Sequence, residues 1–178
     1  MPVSSKLHAR NLLLETRASL LDVVKSFLER AKEPGADTTV MPGYTHFQHA
    51  QPISTAFWMS HYASAHVRDL RRMKAAYDLL DENPLGGGAI SGTSFPIDRS
   101  ITTDLLGFQR TQTHALDATG HRDWMLDVLN SNATMQSTFS RLAEELIMWS
   151  SYEFRTVTLD DGFAMGSSMM PQKKNPGN

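Results

Sequence analysis

One stretch limits the folds open to this chain more than any other. In residues 121–152, Met125, Val128, Asn132, Met135, Phe139, Leu142, Leu146 and Trp149 recur at steps that alternate three and four. That spacing keeps one seam of a long helix facing a partner, and it is incompatible with a strand, whose side chains alternate at period two. Asn132 is the one polar member, the kind of residue that sets register between helices.

Two more segments read as long helices. In residues 11–31, Leu13, Leu20, Val24, Phe27 and Ala31 share a stripe that "EPG" at 33–35 terminates. The next helix is expected to open at Pro52, a favoured first-turn residue, and to run to about Asp81. Its inward set reads as Ile53, Phe57, Ala63, Val67, Leu70, Tyr77 and Leu80. The run "RDLRRMK" at 68–74 reads as its solvated face. His61 and His66 are five apart, on different faces, and read as surface or packing residues. A turn-rich connection over 83–99 leads to a short helix at 98–106. No pair of segments reads as paired strands, so the prediction is an all-α bundle with helices about 20° apart. Three such helices leave apolar stripes uncovered, which predicts further chain or self-association.

Composition narrows the function. The 178 residues are 40% apolar and 20% charged with a net charge of -2, which offers no global attraction to nucleic acid or an anionic membrane. There is no cysteine, so thiolate chemistry and disulfides are excluded. No apolar run approaches the roughly 18 residues of a membrane span, and the first residues lack the apolar core of a secretory signal. The expectation is a cytoplasmic protein with neither a nucleic-acid nor a membrane partner.

Two loops hold the residues suited to chemistry. "GYTHFQHAQP" at 43–52 offers Thr45, His46, Gln48 and His49 between prolines and glycine. It reads either as a capping loop, with Thr45 and Gln48 tying off backbone groups, or as a carrier of an acid–base histidine. A metal site is not favoured, because no carboxylate or cysteine in the loop completes a ligand set with His46 and His49. The second loop, "GFAMGSSMMPQKKNPGN" at 162–178, carries Pro171 and Pro176 and makes neither a helix interior nor a good strand. Ser167 and Ser168 follow a glycine, and Lys173, Lys174 and Asn175 stand close by. That set reads as a solvated basic loop or as donors for an anionic oxygen such as a carboxylate. "GGGAISGTS" at 86–94 lacks the spacing of a phosphate-binding loop and reads as a turn between helices.

Together these stretches resemble the argininosuccinate lyase branch of the fumarase/aspartase superfamily. "GSSMMPQKKNP" matches that superfamily's signature, GSSxMPxKxNP, at every fixed position. "MPGYTHFQHAQPIS", "PLGGGAISGTSFPIDR", "LDATGHRDWML" and "RLAEELIMWSSYEF" are similar to stretches of that branch. The likeness runs from about residue 40 to the end and is weaker before it. It implies the central long-helix bundle of that superfamily. It also implies reversible cleavage of argininosuccinate to arginine and fumarate, without metal or organic cofactor. By this resemblance Ser167 is the base, and His46 the acid or relay on the leaving-nitrogen side. Thr45, Gln48, Lys173, Asn175 and Asn11 are the substrate-binding residues. The family is homotetrameric, with sites drawn from three subunits.

The chain departs from the family at Leu12, where an aspartate is usual, at Phe95 in place of tyrosine, and at His114–Ala115 in place of Asn-Ser. Residues 1–178 are therefore expected to form one partial domain, the central bundle, with other parts of the family's length outside them. Two alternatives accompany this reading. One is a non-catalytic helical scaffold; the other is a superfamily lyase acting on a different substrate, such as adenylosuccinate.

Overall fold

The computed structural model describes residues 2–177. It opens with helix α1 (Pro2–Ala31), a hairpin of β1 (Val40–Thr45) and β2 (Gln48–Ser54), and helix α2 (Thr55–Leu80). The connection holds β3 (Glu82–Asn83), α3 (Arg99–Leu105), β4 (Arg110–Thr111) and α4 (Ala115–Gly120). Helix α5 (Trp124–Ser150) follows, then a 3-10 turn at Asp161–Phe163 and the short strands β5 (Met165–Gly166) and β6 (Lys174–Asn175). The predicted bundle is present: α2 packs against both α1 and α5. Leu13, Leu20, Met73, Leu80, Trp124 and Met135 form the core where the three meet. Burying each of these side chains stabilises the fold by roughly 2 kcal/mol.

Helix α1 starts nine residues before the stripe read from the sequence. No proline or glycine interrupts residues 3–33, and Lys6, Leu13 and Leu20 fall seven apart on one face. A lysine holds the first core position, which an apolar count does not see. Lys6 is 1% exposed, and its Nζ donates to the carbonyl of Glu82 at 3.0 Å. Burial lowers its pKa, against the opposing pull of Glu82, Asp117, Asp123 and Asp81.

Helix α2 corrects three expectations. It begins at Thr55, not Pro52, because Ser54 is extended and its Oγ accepts the Phe57 amide at 3.1 Å, a side-chain N-cap. Pro52 instead lies in β2, opposite Pro42. Phe57 and Val67, read as inward, are 64% and 37% exposed, while His66 and Asp69 are fully buried. Asp69 accepts His66 Nδ1–H at 3.1 Å and an Arg72 Nη1–H at 2.7 Å, so a charge within the "RDLRRMK" run occupies the interior by being paired. The His66 ring lies 4.4 Å from Phe139 and 6.5 Å from Phe27, and its burial lowers its pKa.

The buried face of α5 lies slightly round from the seam read in the sequence. Its buried residues are Trp124, Ser131, Met135, Thr138 and Trp149, whereas Met125 is 39% exposed. Ser131 and Thr138 donate their hydroxyls back to Val128 O (2.8 Å) and Thr134 O (3.5 Å), so two polar residues are satisfied inside the helix packing. Asn132 Oδ1, the expected register residue, is buried without a hydrogen-bond partner among the described residues.

The expectation of no paired strands fails at β1–β2, an antiparallel ladder from Val40↔Ser54 to Thr45↔Gln48. A second pairing, β3 with β4, is parallel, and the buried Asn83 organises it. Its Nδ2 donates to Thr102 and Thr103 Oγ1, both at 2.9 Å, and its Oδ1 accepts the Leu85 amide at 3.0 Å. The glycine run that follows is a turn, as read. Gly88 has φ +61 and a Cβ there would collide with the Gly92 carbonyl, so both conformation and space require glycine. Helix α3 falls where expected, with Asp98 Oδ1 accepting the Ser100 amide at 2.8 Å. None of the described helices is long and apolar enough to cross a membrane.

Candidate active site

The hairpin owes its shape to its tip. His46 and Phe47 have φ of 53° and 57°, the left-handed geometry of a two-residue turn whose twist suits an antiparallel pair. Asn-Gly is the usual choice there. With two Cβ-bearing residues the turn costs about 1–2 kcal/mol per position, which is strain of a kind that collects at functional sites. It also explains why nothing in the sequence signalled a hairpin. Thr45, His46, Phe47 and Gln48 all stand exposed at this tip, with Phe47 74% exposed.

The two histidines of the hairpin have different surroundings. His49 Nε2 lies 3.2 Å from the Tyr44 hydroxyl, and the two rings are 5.1 Å apart. Tyr44 in turn meets Phe154 edge-on at 5.2 Å, seating the hairpin's body beside the end of α5. Among the described residues no hydrogen bond reaches the His46 imidazole. His46 is therefore the one free to meet a ligand.

The terminal loop is less irregular than its prolines suggest. Met165 and Gly166 pair antiparallel with Asn175 and Lys174, and Pro171 sits in the connection, where no ladder bond is lost. Within it, Ser167 Oγ accepts the backbone N–H of Met169 at 3.3 Å and of Met170 at 3.1 Å. Two amide dipoles aimed at one hydroxyl oxygen favour negative charge on it. The Lys174 ammonium pairs with the Asp161 carboxylate.

Beside the loop lies a cleft of about 670 Å³ lined by Lys173, Asn175, Gln172, Ser151, Thr158 and Arg155, among others. No aspartate or glutamate lines it. Ser167 belongs to the same loop but not to the lining. The candidate residues thus fall into three places: Thr45, His46 and Gln48 at the hairpin tip, Ser167, Lys173 and Asn175 at the terminal loop, and Asn11 on an exposed face of α1. Among the described residues no hydrogen bond joins these places. Nor do three or more His, Asp or Glu side chains of the described residues gather as a metal-binding group. Arg155 escaped the sequence reading, since neither its left-handed φ of 49° nor its place in the cleft has a sequence signal.

Groups whose protonation is shifted by burial lie elsewhere. Lys6 and His66 are lowered by burial in the bundle, and Tyr62 is raised by burial and then by Glu145.

The family model described as Lyase matches residues 1–178. The chain is 42% identical over 171 residues to an argininosuccinate lyase of Methanocorpusculum labreanum, covering 96% of this chain and 34% of the relative. It is 49% identical over 138 residues to an argininosuccinate lyase of Lactococcus lactis, covering 78% and 30%. The chain thus spans about a third of the length of these curated relatives. Among solved structures, EDDS lyase in complex with formate superposes with a TM-score of 0.91 at 33% identity, over 96% of this chain and 34% of that one. A class II fumarase from Schistosoma mansoni superposes with a TM-score of 0.70 at 20% identity, over 90% and 38%, a likeness of fold.

Proposed function

The chain belongs to the lyase family whose model spans residues 1–178, and from that premise we propose that it supplies argininosuccinate lyase chemistry. The observation that carries this reading is the pair of amide N–H groups on Ser167 Oγ, beside a cleft lined by cations and no carboxylate. A serine is a weak base near neutral pH, and those donors stabilise the oxyanion it needs.

In the proposed reaction the Ser167 oxyanion takes the proton from the carbon next to a carboxylate of argininosuccinate. The electron pair moves into that carboxylate as an aci-carboxylate, whose added charge Lys173 and Asn175 bind more tightly than the ground state. Collapse of the pair forms the carbon–carbon double bond of fumarate and breaks the C–N bond. The leaving guanidine nitrogen takes a proton from His46, with Thr45 and Gln48 flanking it, to give arginine. Asn11 is assigned to substrate binding by the family pattern.

The hairpin tip and the terminal loop belong, on this reading, to sites formed between copies in a cytoplasmic homotetramer. Exposed Leu126 and Leu129 on α5 support such packing. Residues 1–178 act as one unit of the central bundle. The test is formation of fumarate, followed by its ultraviolet absorbance, when the protein is given argininosuccinate. Production of fumarate supports the reading. Its absence at high protein concentration leaves a helical scaffold as the function of this chain, and fumarate from adenylosuccinate alone moves the substrate.

A further inference from the structure

Arg155 occupies a position that its backbone does not favour. Its φ is 49°, where a side chain crowds the following carbonyl and glycine is the relaxed choice. Its guanidinium lies 3.6 Å from the centroid of the Tyr152 ring, and both residues line the cleft. Among the described residues no carboxylate reaches the Arg155 guanidinium or the Lys173 ammonium within ion-pair distance, whereas Lys174, the third cation of the lining, is paired with Asp161. The cleft therefore presents two unneutralised cations, with neutral donors from Ser151, Thr158, Gln172 and Asn175 and no acid. Strain retained at such a place points to a role for the side chain that the backbone alone does not explain.

We propose that Arg155 is a carboxylate-binding residue of this cleft, taking a second carboxylate of a small polycarboxylate while Lys173 and Asn175 hold the first. A planar guanidinium presents two parallel N–H donors that match a carboxylate, and stacking on Tyr152 holds that plane in place. Arg155 selects for ligands with two carboxylates over those with one. The inference deepens the lyase reading and rests on it for the identity of the natural substrate, but not for the binding chemistry.

Glycine is the informative substitution, because it relaxes the left-handed backbone while removing the guanidinium. Calorimetric titration of the protein with succinate, and with butyrate as the single-carboxylate control, reads the subsite directly. Arg155→Gly is expected to weaken succinate binding by about 10-fold or more, the scale of one charge-assisted pair. Butyrate binding should change less than about 2-fold, and the melting temperature should not fall below that of the parent. Arg155→Lys, which keeps the charge and loses the fork, should fall between. With argininosuccinate, KM should rise about 10-fold in Arg155→Gly while kcat stays within about 2-fold, as for lost uniform binding. Unchanged succinate affinity in Arg155→Gly, or no succinate binding by the parent protein, overturns the subsite. Arg155-dependent succinate binding without any cleavage of argininosuccinate upholds the subsite and removes the lyase assignment instead.

Discussion

The bundle interior and the two surface loops treat charge in opposite ways. Inside, Asp69 is fully buried yet receives hydrogen bonds from His66 and Arg72, and Lys6 is buried on a backbone carbonyl. At the loops, His46 stands free on a strained tip, and Arg155 and Lys173 face a cleft without a counter-ion. Shifted protonation often marks an active site. Here it marks structural groups: burial shifts Lys6, His66 and Tyr62 in the bundle, and hydrogen bonds shift the α3 cap Asp98 and the Glu82-paired Arg110 at the surface. What distinguishes the loops is backbone strain at non-glycine residues together with exposed cations that have no counter-ion.

That contrast can be broken at either end. The largest effect belongs to Ser167→Ala, which should lower fumarate formation from argininosuccinate by about 10³-fold while circular dichroism shows unchanged helix content. Turnover near the parent rate would remove Ser167 from the role of base. Asp69→Ala should do the reverse. It strips the partner from buried His66 and should cost about 3 kcal/mol in urea unfolding, a loss typical of a broken buried pair. A loss below about 1 kcal/mol would show that the interior tolerates an unpartnered histidine.

A smaller effect separates strain from packing at the hairpin. His46→Gly should raise stability by about 1 kcal/mol through relief of its φ of 53° while lowering kcat, as expected where strain serves function. Reduced stability in that variant would mean that the imidazole holds the turn. The smallest effect is the pH response of His66. Its pKa is depressed in the fold, so the unfolded chain binds the extra proton first. Its contribution is complete above the ordinary histidine value of 6.5 and is lost as pH falls below it. His66→Leu should therefore flatten the decline of melting temperature between about pH 6.5 and pH 5. An equal decline in parent and variant would assign the acid sensitivity to other groups.

Much of the frame was legible in the residues. The three long helices, the short helix near residue 100 and the glycine-rich turn follow from apolar spacing and breakers, which act locally and leave a mark in the sequence. The polar residues found in the core share one cause. Lys6, His66, Asp69, Ser131 and Thr138 take buried positions where partners from the same or distant segments bond them, His66 through Nδ1 alone, and a count of apolar residues does not register a hydrogen-bonded polar one. The β1–β2 hairpin was hidden because its turn uses His-Phe in a conformation that ordinarily advertises itself with glycine.

For the candidate site, the residue types and spacing of "GYTHFQHAQP" and "GSSMMPQKKNP" determined by themselves which side chains are present for chemistry and which family they resemble. The tertiary structure alone decided how they are presented. It turned His46 outward and engaged His49 with Tyr44, placed two amides on Ser167, and brought Arg155 to the cleft of Lys173. Side-chain chemistry is a property of the residue, but free valence, strain and a shared cleft depend on which segments the packed helices bring together.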